Sequence, residues 1–83
     1  MEENKEAQET KREPTLGEHR VRSGFNPSEN PQVAKIKALA ASFIDECEAM
    51  KDEEQRSEKN RALTIAQTEM ETAAMYAVKG ATA

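Results

Sequence analysis

Two cations, a hydroxyl and a thioether fall on one line of the last helical segment of this 83-residue chain. At a helical advance of about 100° per residue, Arg61, Thr68, Met75 and Lys79 lie within about 40° of one another. Leu63, Ala66, Met70, Ala73 and Ala77 form an apolar seam at heptad spacing on the other side. A helix in a plain hairpin needs only the apolar seam. The second face suits a further contact: another subunit, an anionic ligand, or both.

Lys37 and Phe25 are the other residues with chemistry to offer. Lys37 lies about 40° around its helix from Val33, at the edge of an apolar seam where charge rarely sits without a partner. Either it snorkels with its ammonium in water, or it points into a crevice beside Phe25 and meets a phosphate. Phe25 stands between turn formers in Gly24-Phe25-Asn26-Pro27. It is either a hydrophobic staple onto the next helix or a ring face for a nucleobase, worth about 1–3 kcal/mol per base. Met70 and Met75 read as packing residues, since methionine at helical spacing is ordinarily core.

Catalysis finds no support. His19 and Cys47 are the only residues of their types, so no Cys/His zinc set can form, and with His19 stranded in the arm no Ser/His/Asp or Cys/His arrangement is expected. The acids sit at surface spacings, and Glu69 and Glu71 do not share a face. Three glycines supply no phosphate-cradling loop. The chain reads as a binding or assembly protein, not an enzyme, with no cofactor.

The elements that must position these groups are two helices. Ser28 or Asn30 caps the first, with Pro31 at its first position, and it is expected over about 31–51. Its seam is Val33, Ile36, Ala40, Phe43, Cys47 and Met50, widened by Ile44. Residues 52–60, DEEQRSEKN, mark a reversal. One continuous helix is the rival arrangement, but the small residues Ala62, Ala66, Ala73, Ala74 and Ala77 favour close packing in a hairpin. The second helix is expected over about 59–79, closed by Gly80 in the left-handed conformation. The fold class is all-α: an antiparallel hairpin, residues 24–83, behind an arm.

Residues 1–23 are charged and poor in large apolar side chains, and read as a flexible arm with a transient helix over 3–12. Lys11, Arg12, His19, Arg20 and Arg22 are either nucleic-acid contacts or parts of a solvated tail. A net charge of −4 argues against coating of DNA or RNA polymers. No apolar run suits a signal peptide or a membrane span, so a cytosolic location is expected. With 36% hydrophobic residues and one cysteine, self-association is the remaining route to a stable core.

FNPSENPQVAKIKALAASFID followed by RALTIAQTEMETAAMYAVKGAT resembles an α-helical hairpin family of phage anti-defence proteins. It is shared by the anti-CBASS protein two sponges and the hairpin domain of the anti-Thoeris sponges. The resemblance covers residues 24–82. Its specific part is Arg61, the A-x-T of Ala66 to Thr68, a glutamate, and then Ala73-Ala74-Met75-Tyr76-Ala77-Val78-Lys79-Gly80-Ala81-Thr82. Asn26-Pro27 and Val33-x-x-Ile36-Lys37 add a weaker signature.

The resemblance implies binding of cyclic oligonucleotide or cyclic ADP-ribose signals without cleavage, which starves bacterial effectors in the cytoplasm of the infected host. It implies a compact homo-oligomer, typically a hexamer, with ligand pockets where subunits meet. An aromatic residue ahead of the first helix then stacks on a base and the lysine of the I-K pair meets phosphate. Phe25 and Lys37 occupy those places. Asn26, Arg61 and Thr68 are candidates for a separate cyclic trinucleotide site near a threefold axis. Three departures accompany this: Phe25 replaces a tyrosine, the loop to Lys37 is shorter, and Tyr76 replaces a tryptophan. No β-forming segment is present. A different class remains open, a helical-hairpin adaptor whose second face binds a protein, and the arm as a nucleic-acid module is a third.

Overall fold

Two long helices and one short one organise the described residues. The structure, a computed structural model, describes residues 13–83. In order these are α1, Leu16–Val21, α2, Pro31–Met50, and α3, Glu58–Ala81. The helices α2 and α3 form the hairpin, and α1 packs mainly on α2 and touches α3. Among the described residues there is no strand.

Each helix begins on a side-chain cap that satisfies otherwise orphaned N–H groups. Asn30 accepts from the N–H groups of Gln32 and Val33 at 2.8 and 3.3 Å, with Pro31 directly after it. Ser57 accepts from Asn60 N–H at 3.0 Å. Asn60 also clasps the reversal between the long helices. Its Oδ1 accepts from Asp52 N–H, and its Nδ2 donates to the carbonyls of Asp52 and Glu54. No glycine or proline is needed to turn the chain, because one buried amide holds the loop backbone.

The sequence reading assigns residues 16–23 to a flexible arm, and the structure instead winds Leu16–Val21 into a docked helix. Thr15 and Glu18 exchange hydrogen bonds at 3.0 and 3.1 Å, a capping box. Gly17 N–H donates to Asp45 Oδ1 at 2.7 Å, and Arg20 reaches Glu71 on α3. Val21 is buried. Gly17 permits this approach, since a Cβ there would lie 2.1 Å from the Ala41 carbonyl oxygen. The transient helix at 3–12, with Lys11 and Arg12, lies outside the described residues.

Val21, Ala40, Ala41, Ile44 and Ala74 form the core, with Ile36 and Met70 packed against it. Alanines dominate, so the helix backbones come close. The buried stripe of α2 is Val33, Lys37, Ala40, Ala41, Ile44 and Cys47. Phe43 and Met50, expected in the seam, are exposed. On α3 the stripe is centred on Asn60, Gln67 and Ala74, while Ala73 and Ala77 face outward. Gln67, at 1% exposure, donates to the Ile44 carbonyl and to Glu48 Oε1, both at 3.0 Å. Both seams are therefore rotated from their expected positions.

The end of α3 also differs. Gly80 has no positive φ and stays within the helix, which runs to Ala81. Thr82 closes it, its hydroxyl donating to the carbonyl oxygen of Val78 at 2.9 Å. Among the described residues, no helix is long and apolar enough to cross a membrane.

Candidate ligand-binding site

The link from α1 to α2 builds the site. Val21 ends α1, and Arg22 follows in the left-handed region at φ 57° and ψ 55°. That conformation costs a non-glycine residue about 1–2 kcal/mol. Phe25 N–H then donates to the Arg22 carbonyl at 2.9 Å. The Asn26 side chain grips Asn30 at both its N–H and its carbonyl, at 3.1 and 2.9 Å. This leaves the Phe25 ring outside, 57% exposed. It is no staple onto α2.

Lys37 comes up beneath that link from α2. Its ammonium is buried, not snorkelling, and donates to the carbonyls of Arg22 and Phe25 at 2.9 and 2.5 Å. Nζ lies 5.5 Å from the centre of the Phe25 ring, and Arg22 Cζ lies 4.9 Å from it. Each cation gains about 0.5–1 kcal/mol from the ring's quadrupole at such a site. Burial first, and then the neighbouring Arg22 charge, push the Lys37 pKa below its ordinary value. Two of its three N–H donors are engaged by the link.

A crevice of about 230 Å³ opens beside this cluster. Arg20, Val21 and Arg22 form one wall, Ala74, Met75 and Val78 of α3 the other, with Lys37 and Glu71 between. Arg20 Nε and Nη2 both donate to Glu71 Oε1, at 3.0 and 2.6 Å, which holds α1 to α3. A shallower hollow on the far side of Arg22 is lined by His19, Ser23 and Phe25. The arrangement is an exposed ring with two cations beside it, above a partly apolar cleft. It can stack a planar ring and hold an anion.

Of the residues singled out in the sequence, the structure brings Phe25 and Lys37 together, with Asn26 adjacent. Arg61 lies in the first turn of α3, exposed and 3.2 Å from Glu58. Thr68 is exposed farther along α3. Among the described residues, no hydrogen bond joins Arg61 or Thr68 to the Phe25 cluster. Met75, expected as packing, is exposed and lines the crevice. Lys79 stands 5.9 Å from the exposed Tyr76 ring. Arg20 and Arg22, assigned to the arm, are crevice residues. The capping-box spacing of Thr15 and Glu18 was the signal that could have placed them on a helix.

The sequence model of the family described as Acb2/Tad1, hairpin domain, matches residues 17–82. This chain belongs to that family. The match begins at the second residue of α1 and spans both long helices, so α2, α3 and all of α1 but Leu16 fall within the Acb2/Tad1 hairpin domain. Its members are anti-defence proteins that sequester cyclic nucleotides, not enzymes. No curated protein and no solved structure matches the chain.

Proposed function

We propose that this protein is a phage sponge that binds cyclic oligonucleotide messengers intact and blocks CBASS-type signalling in the cytoplasm of the infected host. The observation that carries this reading is the exposed Phe25 ring, which lines the shallower hollow, with the Lys37 ammonium of the crevice 5.5 Å from its centre. The ring stacks on a base, and the remaining Lys37 donor meets the phosphodiester. Membership of the Acb2/Tad1 family supports a cyclic nucleotide over any other stacked anion.

Magnitudes bear on assembly. A sponge competing with an effector needs nanomolar affinity, about −12 kcal/mol. One base stack gives about 1–3 kcal/mol and one charged hydrogen bond about 1.5–3 kcal/mol. The crevice, at about 230 Å³, is also smaller than the roughly 300–1,000 Å³ that encloses a drug-sized ligand. Both considerations support a site completed by a second copy of the chain. Leu39, Phe43, Ile65 and Tyr76 remain exposed on one chain, and they supply apolar surface for a homo-oligomer, in our reading a hexamer. Cyclic dinucleotides are the proposed ligands of the Phe25 site. Asn26, Arg61 and Thr68 are proposed for cyclic trinucleotides, brought together by assembly.

Calorimetry with a panel of cyclic di- and trinucleotides tests the reading. Phe25→Ala and Lys37→Ala are each expected to weaken dinucleotide binding at least tenfold, with light scattering showing the same assembly as the parent. Unchanged binding in both variants would remove these residues from the site. A parent protein whose melting temperature no member of the panel raises would refute the sponge itself.

A further inference from the structure

Arg22 stands where glycine would serve the backbone best. It caps α1 with φ 57°, in the region that L side chains rarely adopt. Its side chain meanwhile lies over the Phe25 ring, with Cζ 4.9 Å from the centroid. Lys37 Nζ approaches the same ring at 5.5 Å. Two like charges are thus held together, and among the described residues neither is paired with a carboxylate. Arg20, two residues earlier, shows the contrast, its charge met by Glu71 at 2.6 Å. The uncompensated pair belongs to a chain with a net charge of −4. Arg22 also borders both the crevice and the shallower hollow, so its guanidinium sits on the rim between them.

We infer that Arg22 is a ligand-binding residue, whose guanidinium grips the phosphodiester attached to the base stacked on Phe25. The inference rests on the reading of the crevice as a cyclic-nucleotide site. A planar guanidinium presents parallel N–H donors that match two phosphate oxygens, which the Lys37 ammonium, with two donors already engaged, cannot do. A base arriving on the ring face displaces the guanidinium, and the end of α1 keeps it within reach of that base's phosphate. The ligand class narrows accordingly. Arg22 favours a nucleotide that carries its charge next to the stacked base, and adds nothing for a neutral nucleoside.

Two variants test this. Arg22→Gly relieves the backbone, so its melting temperature is expected to equal or exceed that of the parent. Arg22→Gln keeps a long polar side chain and the backbone strain while removing the charge. Both are expected to bind 3′,5′-linked cyclic dinucleotides at least tenfold more weakly. Affinity is also expected to depend less steeply on salt than in the parent, because one screened charge–charge contact is gone. Parent-like affinity and salt slope in both variants would overturn the assignment of Arg22 while leaving the sponge intact. A parent that binds no cyclic nucleotide overturns both readings together. If Arg22→Gly melts lower, Arg22→Gln decides: retained fold with weakened binding of reduced salt dependence supports the assignment, and parent-like binding refutes it.

Discussion

Gly17→Ala sets helix propensity against packing, and the structure says which wins. Propensity alone favours alanine by about 1 kcal/mol within a helix. The added Cβ, however, would sit 2.1 Å from the Ala41 carbonyl oxygen, which belongs to the backbone of α2 and cannot rotate away. To restore ordinary contact, α1 must retreat by about 1 Å or more. Overpacking of this kind costs about 1–3 kcal/mol. Complete undocking sets the ceiling. It would expose Val21, about 1.5–3 kcal/mol, and break the charge-assisted Gly17–Asp45 hydrogen bond, about 1.5–3 kcal/mol. The partly exposed Arg20–Glu71 pair adds at most about 1 kcal/mol. Less the propensity gain of about 1 kcal/mol, a net loss of up to about 2 kcal/mol is expected, and for a chain of this size each kcal/mol lowers the melting temperature by about 4–8 °C. Thermal unfolding at one fixed protomer concentration measures it. Gly24→Ala is the control, because nothing lies within 4 Å of a Cβ there and its φ is not positive. A Gly17→Ala protein that melts at or above the parent would refute the docking of α1 on Ala41.

Other outcomes follow from the same contacts. Asn60→Ala removes three hydrogen bonds from the reversal and is expected to cost about 2–4 kcal/mol in denaturant unfolding. A hydrogen bond from Gln67, then one from Lys51, hold the Glu48 carboxyl below its ordinary value. Its stabilisation is therefore complete above the ordinary carboxylate range and lost as pH falls through the lowered pKa. Gln67→Leu is expected to move that acid limb to higher pH in melting curves. Lys37 follows the same sign in a different range: with its pKa lowered, the unfolded chain holds the proton longer, so its contribution to stability rises with pH in the alkaline window below its ordinary value of 10.5. Ligand affinity is expected to fall over that same window. Arg22→Gln, by removing the second cause of the shift, is expected to displace the fall to higher pH in calorimetric titrations.

The hairpin was legible because local signals agree. Asn30 and Pro31 start α2 as expected, and the polar 52–60 stretch turns the chain. The seams were less legible, because hydropathy rewards large side chains while this contact is made by alanines at short range. Phe43 and Met50 are the strongest apolar residues of their stripe, yet Ala41 and Lys37 take the buried places. Lys37 can do so only because two carbonyls of the link, 12 and 15 residues away, receive its ammonium. The docking of α1 was hidden for a similar reason. Its ties run from Gly17 to Asp45 and from Arg20 to Glu71, separations of 28 and 51 residues that no local pattern reveals. Of the candidate site, the nearness of Lys37 to Phe25 was readable from residue type and place. The place of Arg22 over the same ring was not, since it depends on a backbone angle.

A six-residue helix has no independent life in water, where isolated helices need roughly 12–15 residues even to be marginal. One bank of the crevice consequently exists only while α1 lies against its neighbours. Release of that short segment demands far less than melting of either long helix, so the crevice is dismantled well before the scaffold is. Whatever fills the cleft from Arg20 to Val78 also fastens α1 in place. In the proposed sponge, the grip on the ligand and the docking of α1 are then a single equilibrium, observed from two ends.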